Sequence, residues 1–124
     1  VKSSDVSVFN TKNYKKITTI KVGKSPYAIA FHQDGSKAFV TNQHENTISI
    51  IDTLNKKNIK TLKIGEYPEG INFYIKTKEV LIVNWFDSEV VVLNSMNLNI
   101  KKRIAVGEGP RGFGNFIGPN LTKN

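Results

Sequence analysis

The sequence predicts an all-β fold built from repeats, and three observations carry the prediction. The pattern V/I-G-x-x-P occurs as Val22-Gly23-Lys24-Ser25-Pro26, Ile64-Gly65-Glu66-Tyr67-Pro68 and Val106-Gly107-Glu108-Gly109-Pro110. Its glycines fall at 23, 65 and 107, an interval of 42 residues both times (65 − 23 and 107 − 65). Other segments keep the same phase: Val40-Thr41-Asn42 maps onto Ile82-Val83-Asn84, and Asn46–Asp52 maps onto Ser88–Asn94 and back onto Ser4–Asn10. The apolar runs, such as Val80–Val83 and Val90–Leu93, are short, rich in β-branched residues and lack the i, i+3, i+4 spacing of an amphipathic helix. A repeat near this length is that of β-propeller blades, each of four antiparallel strands.

Each element follows from its residues. Position 1 is equivalent to 43 and 85, so the chain enters a blade at its third strand, Ser4–Asn10, and continues into a lysine-bearing fourth. The next first strand, Tyr27–His32, sets Ile29 and Phe31 on one face, and its counterparts are Ile71 and Phe73. Asp34-Gly35 supplies a tight turn. Second strands run over Lys37–Asn42 and Glu79–Asn84, with centres apolar on both faces, as expected between neighbouring blades. Third strands span Thr47–Asp52 and Glu89–Asn94, and fourth strands Ile59–Ile64 and Lys101–Val106. Glycine is expected where the outer strand reverses toward the axis, with the following proline fixing re-entry. The blade parts are 1–26, 27–68, 69–110 and 111–124, about three blades in one domain.

Charge and composition bound the function. The net charge is +8, but many lysines recur in the part of the repeat expected to form the outermost strand: Lys15, Lys16 and Lys21; Lys56, Lys57, Lys60 and Lys63; Lys101, Lys102 and Arg103. Lysine on an outer edge prevents edge-to-edge pairing between molecules, so edge protection outranks anionic-polymer binding, and nucleic acid is not the expected partner. Without cysteine there are neither disulfides nor thiolate metal sites. No run approaches the roughly 18 apolar residues of a membrane helix, and no signal-peptide core is present. The start inside a blade, without methionine, gives the expectation of a piece of something longer.

Phe39-Val40-Thr41-Asn42 and Leu81-Ile82-Val83-Asn84, each followed by a short loop and an apolar strand ending in Asp52 or Asn94, resemble the YVTN family of β-propeller repeats. Asn46-Thr47-Ile48-Ser49-Ile50-Ile51-Asp52 fits that pattern closely; the second blade departs at Val83 and in the Trp85-Phe86-Asp87 loop. The resemblance implies fold, and an exported protein of the periplasm or cell surface. It does not imply an activity.

Three blades do not close a ring, since propellers typically have 4–8. Two arrangements are expected to cover the open faces. In one, two chains complete each other's split blade in a six-bladed dimer; in the other, further blades belong to a larger propeller. In the latter, Gly112-Phe113-Gly114-Asn115-Phe116 is the closing innermost strand.

Loops joining strand two to three, and strand four to the next strand one, share one face of the disc. There Tyr27, Glu69 and Arg111 are equivalent by the 42-residue step yet chemically different, which marks a candidate binding position near the axis. On the same face lie Gln43-His44-Glu45 and Trp85-Phe86-Asp87, the latter an aromatic pair beside an acid. The candidate ligand-binding set is Tyr27, His44, Glu69, Trp85, Phe86, Asp87 and Arg111. No nucleophile elbow, cysteine nucleophile, cofactor motif or metal-ligand spacing stands beside it. A non-enzymatic binding or scaffold module for a protein or cell-surface ligand is the expectation. The alternatives are a lactonase-like hydrolase, which needs Glu69 with His44 or Asp87 converging on an axial metal, and anionic-polymer binding through the lysine-rich edges.

Overall fold

A computed structural model describes residues 2–119 of the chain. Strands β1 (Asp5–Phe9) and β2 (Lys16–Lys21) form a two-stranded half-blade. A full blade follows, with β3 (Pro26–Phe31), β4 (Lys37–Asn42), β5 (Thr47–Asp52) and β6 (Lys57–Lys63). A second comprises β7 (Pro68–Tyr74), β8 (Glu79–Asn84), β9 (Glu89–Asn94) and β10 (Ile100–Ala105). All neighbours pair antiparallel in sequence order. The expected strands are present, most shifted by no more than a residue. The β5–β6 and β9–β10 ladders each carry a register shift, at Ile50/Ile51 and at Ile100/Lys102. A bulge of this kind bends the outer strand without ending the pairing.

Burial follows the position of each strand. β4 and β5 are buried along nearly their whole length, because the half-blade covers one side and the second blade the other. Phe39, Ile48, Ile50, Ile64, Val80 and Ile82 form the core between the two full blades, and all are fully buried. Each such side chain contributes roughly 1.5–3 kcal/mol relative to exposure. Ile20, Ala38, Val40 and Ile51 form a smaller core with Val6, Val8 and Val22 of the half-blade. β9 instead alternates, with Val91 and Leu93 buried and Val90 and Val92 partly exposed, since one of its faces has no neighbouring blade among the described residues. The outermost strand β10 is exposed throughout, and the lysines of β2, β6 and β10 lie on outer strands as edge residues, whereas Lys15 and Lys56 fall in the turns that precede β2 and β6.

Residues 111–119 form no strand, contrary to the expectation of a closing inner strand over 112–116. Gly112 and Gly114 give this segment little to pack with, and Gly114 sits at φ 60. Its anchor is the Asn72 side chain, which donates to the Gly114 carbonyl (2.8 Å) and accepts from the Phe116 amide (2.8 Å). Residues 120–124, the end of the expected blade part 111–124, lie outside the described residues.

The repeated glycines have a role beyond the one expected. Of the three, Gly65 has the positive φ expected of it (141), and the residue before proline is left-handed in each crossover: Ser25 (φ 55), Tyr67 (φ 58) and Gly109 (φ 61). Gly23 and Gly65 also make room for a buried asparagine and an acid arriving from the loop after the second strand. A Cβ on Gly23 would collide with Asn42 Nδ2 and Glu45 Oε2, and one on Gly65 with Asn84 Nδ2 and Asp87 Oδ2. Gly107 meets nothing within 4 Å.

Candidate functional site

Two sets of connections build the loop face, and backbone hydrogen bonds tie them together. The Gln43 amide donates to the Ser25 carbonyl (3.0 Å), and one repeat later the Trp85 amide donates to the Tyr67 carbonyl (3.0 Å). Asn46 Oδ1 accepts from the Tyr67 amide (3.0 Å), and Asp87 Oδ2 from the Glu66 amide (2.7 Å). Beneath them Asn84, fully buried, donates from Nδ2 to the Ile64 carbonyl (3.1 Å) and to Glu89 Oε1 (3.0 Å). The loops carrying the candidate residues are therefore fastened at both main chain and side chain.

An aromatic ridge runs over this frame. The Tyr67 ring lies 5.3 Å from Trp85, edge-on, and 4.7 Å from Phe86; Trp85 and Phe86 are 5.2 Å apart. These separations suit tilted and edge-to-face aromatic pairs. Trp85 is half-buried, whereas Phe86 is 61 % exposed. His44 closes the other end of the ridge, its ring 5.4 Å from Tyr67. The His44 Nδ1 shares a 2.5 Å hydrogen bond with Ser25 Oγ, and Nε2 shares one of 3.2 Å with the Tyr67 hydroxyl.

Arg111 lies over the Trp85 ring, with its Cζ 4.2 Å from the centroid, in cation–π geometry. Its Nε is 3.8 Å from Glu69 Oε2, a charge pair at a separation beyond hydrogen bonding. Glu69 is 2 % exposed, accepts from Gln43 Nε2 (2.9 Å) at Oε1 and has no hydrogen-bond partner at Oε2 among the described residues. The Glu69 carbonyl accepts from Thr41 Oγ1 (2.8 Å). Tyr27 turns elsewhere, its ring 6.3 Å from Phe113. Beside it the inner strands border a groove of about 390 Å³ lined by Ala28–Phe31, Gly70–Phe73, Gly112, Gly114 and Asn115.

Of the seven residues read from sequence, the structure joins Trp85, Phe86, Arg111 and Glu69 into one connected group, with His44 reaching it through Tyr67. Asp87 serves the loop by accepting from the Glu66 amide. Glu69, His44 and Asp87 bond to separate partners: Gln43, Ser25 with Tyr67, and the Glu66 amide. Among the described residues no three His, Asp or Glu side chains are placed to hold one metal ion. The candidate set did not include Tyr67 or Ser25, and Gln43 was placed on the face without being given a role. The signal for Tyr67 was a bulky residue standing where the equivalents are serine and glycine.

Comparison with solved structures decides the architecture. The blade pair superimposes on a hydrazine synthase of Kuenenia stuttgartiensis with a TM-score of 0.82, over 87 % of this chain and 32 % of that one, at 22 % identity. The chain folds as β-propeller blades. Similar matches are apo AztD from Citrobacter koseri (TM-score 0.74, 12 % identity, 87 % of this chain, 30 % of that) and the dihydro-heme d1 dehydrogenase NirN in complex with DHE (TM-score 0.75, 20 % identity, 88 % and 24 %). The chain thus spans less than a third of each of these proteins, and at such identities the likeness is one of fold alone. No protein-family model matches the chain, and no curated protein matches it in sequence.

Proposed function

We propose that these blades form a non-enzymatic binding module that presents the Tyr67–Trp85–Phe86 ridge to a protein ligand. One observation carries the reading: three aromatic rings in mutual contact, backed by an arginine, with the outermost 61 % exposed. Tryptophan, tyrosine and arginine dominate the energetic centres of protein interfaces. The fastening of both loops lowers the ordering cost that binding incurs. The resemblance to exported YVTN-type repeats belongs to this reading, as does completion of the ring by further blades or by a second copy.

The test compares capture of surface-exposed proteins by the immobilised chain and by its Phe86→Ala and Trp85→Ala variants, with thermal melts run alongside. Partners retained by the native chain and lost from Phe86→Ala at unchanged melting temperature support the module. A central aromatic anchor is worth about 2 kcal/mol or more, roughly 30-fold in Kd. Identical capture by all three proteins overturns it.

A further inference from the structure

The face opposite the ridge is made by hairpin tips, and its chemistry differs from that of the loop face. The tips of each blade meet there: the Thr53 amide donates to the Ser36 carbonyl (3.1 Å), and the Ser95 amide to the Lys78 carbonyl (3.2 Å). These connections, residues 10–15, 32–36, 53–56, 75–78 and 95–99, carry Lys12, Lys15, Lys56, Lys76 and Lys78 against a single acid, Asp34. The loop face is close to balanced, with Glu45, Glu66, Asp87 and Glu108 against Lys2, Lys24 and Arg111. The excess of positive charge is therefore concentrated on the tip face.

The lysines do not stand alone. Leu54 is 82 % exposed, Tyr14 81 %, Met96 64 % and Ile75 58 %, each at a hairpin tip on the basic side. Leu54 and Met96 are equivalent by the 42-residue repeat, so neighbouring blades project an aliphatic side chain from the same place. Scattered exposed apolar residues are ordinary on a protein surface. Here they protrude from the tips of successive hairpins with lysines around them, while the ridge side has none of this pattern.

We infer that the tip face docks on an anionic lipid bilayer, with Leu54, Met96, Tyr14 and Ile75 entering the headgroup boundary and the lysines pairing with acidic headgroups. Protruding apolar side chains and a basic surround are the two components of interfacial binding, one supplying burial and the other attraction. A nucleic-acid or other polyanion surface would use the lysines and leave the aliphatic tips in water. Docking this way aims the ridge on the opposite face away from the membrane.

The absence of cysteine from the chain gives a direct test. Single cysteines at Leu54→Cys, Met96→Cys and, on the opposite face, Glu108→Cys are labelled with an environment-sensitive fluorophore. Each labelled protein is mixed with vesicles of phosphatidylglycerol and phosphatidylcholine, or of phosphatidylcholine alone. The expected result is a blue shift at 54 and 96, none at 108, and only with the acidic vesicles. Leu54→Ser/Met96→Ser should lower vesicle affinity about tenfold or more, the scale set by losing two buried aliphatic groups. Absence of vesicle binding at low salt, or binding unaffected by the double substitution, overturns the inference. So does a label at 54 that stays in water while the protein sediments with the vesicles, which leaves a polyanion surface of lysines only.

Discussion

Arg111 covers the Trp85 ring from the following crossover, and Glu69 meets Gln43 from the equivalent place one repeat earlier. In both pairs the partners lie 26 residues apart, the lower-numbered in a loop after the second strand and the higher-numbered just past a crossover proline. One backbone geometry thus delivers two unlike contacts, a neutral hydrogen bond to a buried acid and a guanidinium on an aromatic face.

Removing the guanidinium should uncover the only tryptophan in the chain. Arg111→Ala is expected to shift its emission to longer wavelength and raise its quenching by iodide. The lost cation–π contact is worth about 0.5–1 kcal/mol at an exposed site, read as a small drop in denaturation midpoint. Unchanged quenching would mean that Arg111 does not cover the ring in solution.

Gln43→Leu should cost more than its size implies. It takes the one side-chain hydrogen bond from a carboxylate that is 2 % exposed, and an unsatisfied buried group costs about 1–3 kcal/mol. Urea unfolding measures this, and adding Glu69→Gln should recover part of the loss by removing the buried charge.

The three repeated glycines should not respond alike. Gly23→Ala and Gly65→Ala drive a methyl into the Asn42 and Asn84 amides, with an expected loss of about 1–3 kcal/mol. Gly107→Ala meets nothing within 4 Å and should stay within about 0.5 kcal/mol. At Gly65 the φ of 141 adds backbone strain to the clash, so its loss should be the larger of the two; a Gly23→Ala protein as stable as Gly107→Ala would show that the approaching asparagine does not select glycine.

Acid should weaken the first hairpin of the full blade through Asp34. Hydrogen bonds from the Ser36 hydroxyl and amide hold its carboxyl down at about 2, from 3.8. A folded-state value below the unfolded one means that the stabilisation is complete above about pH 4 and fades as pH falls through 2. Asp34→Asn should therefore be less stable than the native chain at pH 6 and converge with it near pH 2. Parallel midpoint curves over that range would remove Asp34 as the cause.

Strand positions were legible because each blade buries the same residues at the same phase, so Val40, Ile82 and their neighbours announce the register twice. The site was legible only by face. The repeat sets Trp85, Phe86, Glu69 and Arg111 on one face, yet the contacts joining them run at sequence separations that no local periodicity encodes. Tyr67 escaped for that reason, being hidden inside a turn motif. Residues 112–116 misled in the opposite direction: they hold the phase of an inner strand, but the glycines at 112 and 114 leave the backbone to be held by Asn72.

The paired amide bonds, Gln43 to Ser25 and Trp85 to Tyr67, give two neighbouring loops on the ridge side the same backbone footing. Only the side chains mounted on that footing differ: Gln43 reaches the buried Glu69, while Trp85 lies under Arg111. Moving the indole–phenyl pair by one blade about the disc axis therefore means moving its crossover partner too, so the unit of exchange is a loop together with the residue 26 positions further on.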